Sequence, residues 1–358
     1  MGAHTSKETS SLVRSQTSSG GAFSRRTGRN RGDSGRRKPW STLSGPEFNV
    51  VHGRRYLSHS SGRGHYPLPV DSQEMDRLQE QHYWMLLLLE KNYILPMTDL
   101  GFRPQTILDV GTGNGVWLLE MASEFPDAQC VGVDFAPTFP TEILPPNCSF
   151  FLGNVLERLP FQDNAFEYTH QRFLGYGVQQ DQWPWVLGEL MRVTRPGGWV
   201  EMMEMDEALL HPGVCGAKLN EWSSTMMRTE AEGTEERLGG VEEEGEEGGE
   251  ELGKEELEMC PSARKLHRAF SQQGFTHITV HSMEVPLGAA HGKSGEMAAR
   301  VVQGIFSGVR PFLDSAQWPQ GVWDDFWRVW HEELNGMEGG EGRTSVRIIM
   351  LFGQKPLR

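Results

Sequence analysis

The segment Ile107-Leu108-Asp109-Val110-Gly111-Thr112-Gly113-Asn114-Gly115-Val116-Trp117 has the makings of a ligand-binding turn. An apolar run stops, three glycines follow at alternate positions, and a helix-forming run begins. Glycine suits a backbone that must take positive φ, or that must let a ligand approach where a Cβ would stand. A second apolar run, Gln129–Val133, ends in Asp134, 19 residues after Gly115. Asp109 and Asp134 thus both stand at strand ends, where open α/β sheets bind ligands.

Two cofactor classes use a strand, a glycine loop and a helix in this order. A dinucleotide sets its pyrophosphate on the helix N-terminus and wants glycine at the sixth position of GxGxxG. That position is Val116 here, and Asp109 precedes the loop, where a carboxylate would repel a pyrophosphate. A dehydrogenase reading fails on both counts. A cationic aminoacyl sulfonium tolerates the same carboxylate, and Asp134 is placed to accept from a ribose diol. Hydrogen bonds to a charged acceptor contribute about 1.5–3 kcal/mol each. Plainer roles compete: Asp109 capping loop amides, and Asp134 as a turn former before Pro137.

The elements that must hold these residues alternate. Thr106–Val110, Gln129–Val133, Ser149–Leu152, Phe166–Phe173 and Trp199–Met205 read as strands, and Gly115–Glu124 as a helix. Trp183, Val186, Leu187, Leu190 and Val193 mark another helix, stopped by Pro196-Gly197-Gly198. Upstream, Met75, Leu78, His82, Met85, Leu86 and Leu89 give an apolar helix face. Asp71 is its N-cap, and Glu74 stands at capping-box spacing. Downstream, Pro261–Gln273, Met297–Ile305 and Val322–Trp330 read as helices, Thr276–Val285 and Val346–Phe352 as strands. Such alternation predicts an α/β fold, a parallel sheet with helices on both faces. Trp318, Trp323, Phe326, Trp327 and Trp330 recur at helical spacing, as a core-facing helix or the wall of an apolar acceptor pocket.

Charge divides the 358 residues unevenly around a net of -14. Residues 1–65 hold 12 Lys/Arg against 3 Asp/Glu and few apolar side chains. Such a stretch buries too little to offset its ordering entropy and is expected to be a mostly disordered tail. A nuclear address around Arg36-Arg37-Lys38, a mitochondrial presequence and a nucleic-acid arm are its competing functions, so cytoplasmic, nuclear and mitochondrial locations all stay open. Residues 229–258 hold 14 Glu against Arg237 and Lys254, and are expected to form a disordered Glu/Gly-rich insert. The core is then expected over 66–228 and 259–358. No apolar run reaches the roughly 20 residues of a membrane span. The four cysteines show no CxxC spacing, and the 12 histidines form no HxH or HExxH motif, so no metal site is expected.

Beyond the glycine loop, the sequence resembles class I S-adenosylmethionine-dependent methyltransferases, and within them a fungal group that includes the velvet-associated regulator of secondary metabolism. The residues that carry the resemblance start at Tyr66-Pro67-Leu68-Pro69-Val70-Asp71, with Glu74, Arg77-Leu78 and Gln81-His82. Gly111–Trp117 follows, then Val131-Gly132-Val133-Asp134 with Ala136-Pro137, and Pro145-Pro146-Asn147-Cys148. Gly153-Asn154-Val155-Leu156, Leu159-Pro160-Phe161, Asp163-Asn164 and His170-Gln171-Arg172-Phe173-Leu174 continue it. Arg192-Val193-Thr194-Arg195-Pro196-Gly197-Gly198-Trp199-Val200-Glu201 completes it. Residues 46–210 match well, 259–358 only in general pattern.

The resemblance implies a Rossmann-like fold with a mostly parallel seven-stranded sheet and S-adenosylmethionine as cofactor. Asp109 and the loop of Gly111, Thr112, Gly113 and Gly115 would surround its methionine part. Asp134 would take the ribose hydroxyls, Phe135 would pack near the adenine, and Asn154-Val155 would hold the adenine edge. Gln171 or Arg172 would face cofactor and acceptor. Trp117 would wall the pocket, approach the sulfonium or simply pack its helix. Where the acceptor is a hydroxyl or protonated amine a base is needed. His170 is the first candidate catalytic residue, against a structural role at a strand end, ahead of Tyr168 and His211. Tyr66 and Arg77 would close over the cofactor.

Three functions follow: methyl transfer to a small-molecule acceptor, methyl transfer to a protein, or a methyltransferase-like regulator working through protein partners. The absence of an NPPY-like motif after the fourth strand, and the acidic body, argue against nucleic acid.

Overall fold

The computed structural model describes residues 47–58, 66–206, 208–235, 259–313, 317–336 and 343–358. Residues 1–46, 59–65 and 236–258 lie outside these, and with them most of the basic and acidic stretches.

The sheet is seven-stranded and mixed. Strands β3 (Thr106–Val110), β4 (Gln129–Asp134), β5 (Cys148–Leu152), β6 (Phe166–Arg172) and β7 (Thr194–Met205) lie in the order β5-β4-β3-β6-β7, all parallel. The helices α2 (Val116–Glu124) and α3 (Trp183–Val193) connect them. β9 (Ser345–Gln354) pairs antiparallel with β7, and β8 (Thr276–Pro286) closes that edge antiparallel to β9. The strand order reverses beside β3. β4 and β5 lie on one side of it, β6 and β7 on the other, so a crevice opens above the C-terminal ends of β3 and β6.

Alternation along each strand divides the core. Ile107, Cys130 and Tyr168 pack under α2 with Trp117, Leu118 and Met121. Leu108, Val131, Val200 and Leu351 face α3 and α5 (Pro261–Gln272). A third apolar body joins α1 (Ser72–Leu89), α4 (Val214–Glu235), α6 (Gly292–Val309) and α7 (Gln320–Gly336) to Met203, Ile348 and Met350. Trp222, Trp323, Trp327 and Trp330 are buried together there, so the tryptophan run builds core rather than a pocket wall for an acceptor.

Two expectations need correction. A tail boundary at residue 65 is too late, because β1 (Phe48–Val51) and β2 (Arg54–Leu57) form an antiparallel hairpin. Tyr56 and Leu57 are buried, and the Tyr56 hydroxyl donates to Gly308 O at 2.7 Å. Two of the charges counted into the tail are engaged: Arg54 forks onto Asp71 at 2.8 and 2.9 Å, and Arg55 donates to Val70 O. The insert expected over 229–258 lies almost wholly outside the described residues, the backbone of α4 being described to Glu235. Asp71 does cap α1, accepting from Glu74 N at 3.0 Å, but Glu74 does not close a capping box. Its carboxylate is buried and holds the Arg77 guanidinium at 2.7 Å instead.

Candidate active site

A cavity of about 410 Å³ opens over the C-terminal ends of β3, β4, β6 and β7. Its floor begins at the glycine loop. Gly111, Gly113 and Gly115 have φ of 73°, 55° and 76°, a left-handed conformation that costs other residues roughly 1–2 kcal/mol each. A Cβ at Gly111 would stand 2.3 Å from Leu174 Cδ2, and one at Gly115 2.7 Å from Phe150 Cζ. The loop is fastened below, with Gly111 N and Thr112 N donating to Val133 O at 2.8 and 3.1 Å. Both the spacing of the glycines and their use are explained: each must be left-handed, and two are pressed against a neighbouring side chain.

Asp109 ends β3 as a buried carboxylate shared by two donors. Thr112 Oγ1 donates to Oδ2 at 2.6 Å, and His170 Nδ1 lies 2.8 Å from Oδ1. The imidazole therefore donates through Nδ1 and keeps Nε2 as its acceptor position. One ring face is covered by Trp117, whose ring lies parallel at a centroid distance of 3.7 Å and an interplanar angle of 8°. Trp117 is held in turn by a 2.6 Å bond from Nε1 to Asn92 O. It does pack its helix, but it also lines the cavity and fixes His170.

Asp134, at the end of β4, accepts from Gly113 N at 2.8 Å and Ala136 N at 2.9 Å. Burial raises its pKa to about 6, against the amide donors, which favour the ionised form. Among the described residues no cationic side chain pairs with it. Phe135 lines the cavity and meets Tyr66 edge to face at 5.1 Å. Asn154 and Val155 line it too, although Asn154 Oδ1 also accepts from Leu156 N at 3.0 Å, a turn contact. Tyr66 and Arg77 line the cavity as well.

Gln171 is a correction. Strand alternation sets Tyr168, His170 and Arg172 on one face of β6 and Gln171 on the other. Gln171 is fully buried, does not line the cavity, and donates from Nε2 to Glu204. Arg172 does line it. Burial lowers its pKa to about 10, opposed by Asp109, Glu120 and Glu201, and it lies 3.2 Å from His82 Nδ1. His82 Nε2 is 3.1 Å from Glu120 Oε2, so a polar relay runs behind the crevice. Tyr168 is buried beneath it, and His211 is outside the lining.

The residue that sequence reasoning missed is Glu204 near the end of β7. It lines the cavity, is 8% exposed, and accepts from Leu174 N at 2.8 Å and Gly175 N at 3.1 Å. Burial raises its pKa to about 7. A signal was present: Glu201 and Glu204 interrupt an apolar strand, and burying a carboxylate is costly without a purpose. Glu201 binds the amides of Ile94 and Leu95, a structural use. Glu204 faces the crevice.

A crevice at the switch point of this sheet, floored by left-handed glycines between two strand-end carboxylates, is the layout of the Rossmann-like methyltransferase fold, whose cofactor is S-adenosylmethionine. The residues fit that cofactor. Gly111, Thr112 and Gly113 line the cavity beside Asp134, a buried carboxyl with which no cationic side chain pairs among the described residues. Residues 107–198 match the family model described as a methyltransferase domain. The chain is 34% identical over 159 residues to methyltransferase pytC of Aspergillus terreus, covering 44% of this chain and 46% of that one. It is 33% identical over 163 residues to protein-methionine methyltransferase laeA of Emericella nidulans, covering 45% and 41%. N-methyltransferase verN of Clonostachys rogersoniana is 24% identical over 313 residues, 84% of this chain and 98% of that relative. The chain spans about half the length of the first curated relatives it matches.

Proposed function

We propose that this protein transfers the methyl group of S-adenosylmethionine to a small-molecule acceptor. The observation that carries this is one cavity with two unlike halves. The β3, β4 and β5 ends supply the glycine loop, Asp109, Asp134 and Asn154. The β6 and β7 ends, with Leu266 and Ala269 of α5, Ile305 and Ile349, supply a second compartment in which apolar side chains stand beside His170, Arg172 and Glu204. The bound cofactor supplies an already activated methyl group. The protein's task is then to align the acceptor and exclude water.

Asp109, Gly111, Thr112 and Gly113 are assigned to the methionine part; Gly115, which the sequence also offered, is outside the lining and starts α2 as its left-handed N-cap. Asp134 goes to the ribose hydroxyls through lone pairs its two amides leave open, Phe135 to the adenine face, and Asn154 and Val155 to the adenine edge. His170, aligned by Asp109 and Trp117, is offered as a base through Nε2. Isothermal titration tests the donor: S-adenosylmethionine binds and NAD does not. Radiolabelled methyl transfer into a cell extract, separated into protein and small-molecule fractions, tests the acceptor. Label in small molecules supports the proposal.

Two observations favour a protein acceptor as a second reading. One relative is named a protein-methionine methyltransferase, and the acidic 229–258 stretch would attract a basic partner. Label in the protein fraction alone selects it. Label in neither fraction, with the donor still bound, selects a regulator acting through protein partners.

A further inference from the structure

Glu204 is a buried charge without a counter-ion. Its donors are neutral: Gln171 Nε2, Leu174 N and Gly175 N. No ion pair reaches it among the described residues. The cations of the same cavity are turned elsewhere. Arg77 is forked onto Glu74. Arg172 leans to His82 and is drawn by Asp109, Glu120 and Glu201. Lys265 of α5 is exposed and makes no ion pair with Glu204 among the described residues. Burying a carboxylate costs several kcal/mol unless an opposite charge joins it. The lining of the same cavity brings the apolar Met205, Leu266, Ala269, Ile305 and Ile349 beside the neutral hydroxyls of Ser223 and Ser262.

Resting on the methyltransferase reading above, we propose that the acceptor is a small molecule carrying a protonated amine on an apolar body, with Glu204 as its counter-ion and, in place of His170, its proton acceptor. One N–H bond of the ammonium breaks, the proton joins a Glu204 oxygen, and the electron pair of that bond stays on nitrogen as the lone pair that receives the methyl group. The carboxylate becomes a neutral acid and the ammonium a neutral amine, so charge and protons balance. Burial supports the transfer: a carboxyl group whose pKa lies at about 7 holds a proton far better than an exposed glutamate. Its position supports it too. Glu204 stands one strand beyond β6, on the side of the crevice away from Asp134 and Asn154, where the donor half ends.

The test is binding to the full chain loaded with S-adenosylhomocysteine, at pH 8, by calorimetry. The probes are 2-phenylethylamine and its uncharged counterpart 2-phenylethanol. The amine binds at least tenfold tighter than the alcohol, and Glu204→Gln removes that preference. Glu204→Asp restores part of it. Unchanged affinity for S-adenosylhomocysteine shows that each variant is folded. Equal affinity for the two probes, binding of neither, or a preference that survives Glu204→Gln overturns the proposal. A variant that loses S-adenosylmethionine but keeps S-adenosylhomocysteine also overturns it, since Glu204 would then serve the sulfonium. Failure of the methyltransferase reading looks different: the wild type binds neither donor form, while the amine preference measured without them still decides the role of Glu204.

Discussion

The imidazole of His170 lies flat against the indole of Trp117, 3.7 Å between ring centroids, while its Nδ1 reaches the Asp109 carboxylate at 2.8 Å. Indole and carboxylate together leave the ring one orientation. Trp117→Phe keeps the aromatic face and loses the bond to Asn92 O, so a loss of about 1 kcal/mol is expected in urea unfolding. Trp117→Ala also opens a cavity and costs about 3–5 kcal/mol. If Trp117→Ala unfolds at the wild-type midpoint, the ring pair has no structural weight.

Gly111 is held by shape on two counts, its positive φ and the Leu174 side chain. Gly111→Ala is expected to weaken S-adenosylmethionine binding at least tenfold. Adding Leu174→Ala removes the 2.3 Å clash but not the left-handed φ, so the double variant recovers only part of the affinity. Full recovery in calorimetry shows that φ has no role; no recovery shows that the clash has none.

Donor affinity should follow the charge of Asp134. With its pKa near 6, the group ionises across a range that an ordinary aspartate has already left. Affinity for S-adenosylmethionine is therefore expected to rise as the pH passes from 5 to 7. Asp134→Asn should flatten that rise, and Asp134→Ala should bind at least tenfold more weakly. A wild-type profile without a step near pH 6 removes the electrostatic part of this assignment.

Glu204 gives a pH dependence of stability with a definite sign. Its pKa in the folded chain, about 7, lies above the ordinary glutamate value. Between the two values the folded chain keeps a proton that the unfolded chain has released. The contribution to stability is complete below the ordinary value and is lost as the pH rises through 7. The loss is on the order of 3 kcal/mol. Unfolding by denaturant at pH 4 and pH 8 should show the wild type losing more stability than Glu204→Gln by about that amount.

The N-terminal hairpin is fastened by one buried hydroxyl. Tyr56→Phe leaves Gly308 O without its donor and should cost about 1–2 kcal/mol. Cleavage by a protease between β2 and α1 should quicken correspondingly. Unaltered cleavage means that the hydroxyl does not hold the hairpin.

Much of this fold was legible because its signals are local. The β3–loop–α2 segment announces itself through apolar runs on either side of three glycines, and the strand-end position of Asp134 follows from the next run. β1 and β2 were hidden because arginines inside a basic stretch look solvated. Only the fold reveals that Arg54 meets Asp71. α4 was hidden by the glutamates into which it runs. Gln171 was misplaced because a resemblance assigns a segment while strand alternation assigns a face, and its neighbour Arg172 has the right one. Glu204 went unnoticed because the importance of a buried acid lies in what surrounds it, and its donors come from β6 and from the Leu174–Gly175 turn.

Leu174 belongs to both compartments. Its amide is tied to Glu204, and its side chain covers the spot that a methyl group on Gly111 would need. Displacing it for the sake of one occupant disturbs the seat of the other. On the proposed assignment the two ligand seats meet at this one residue.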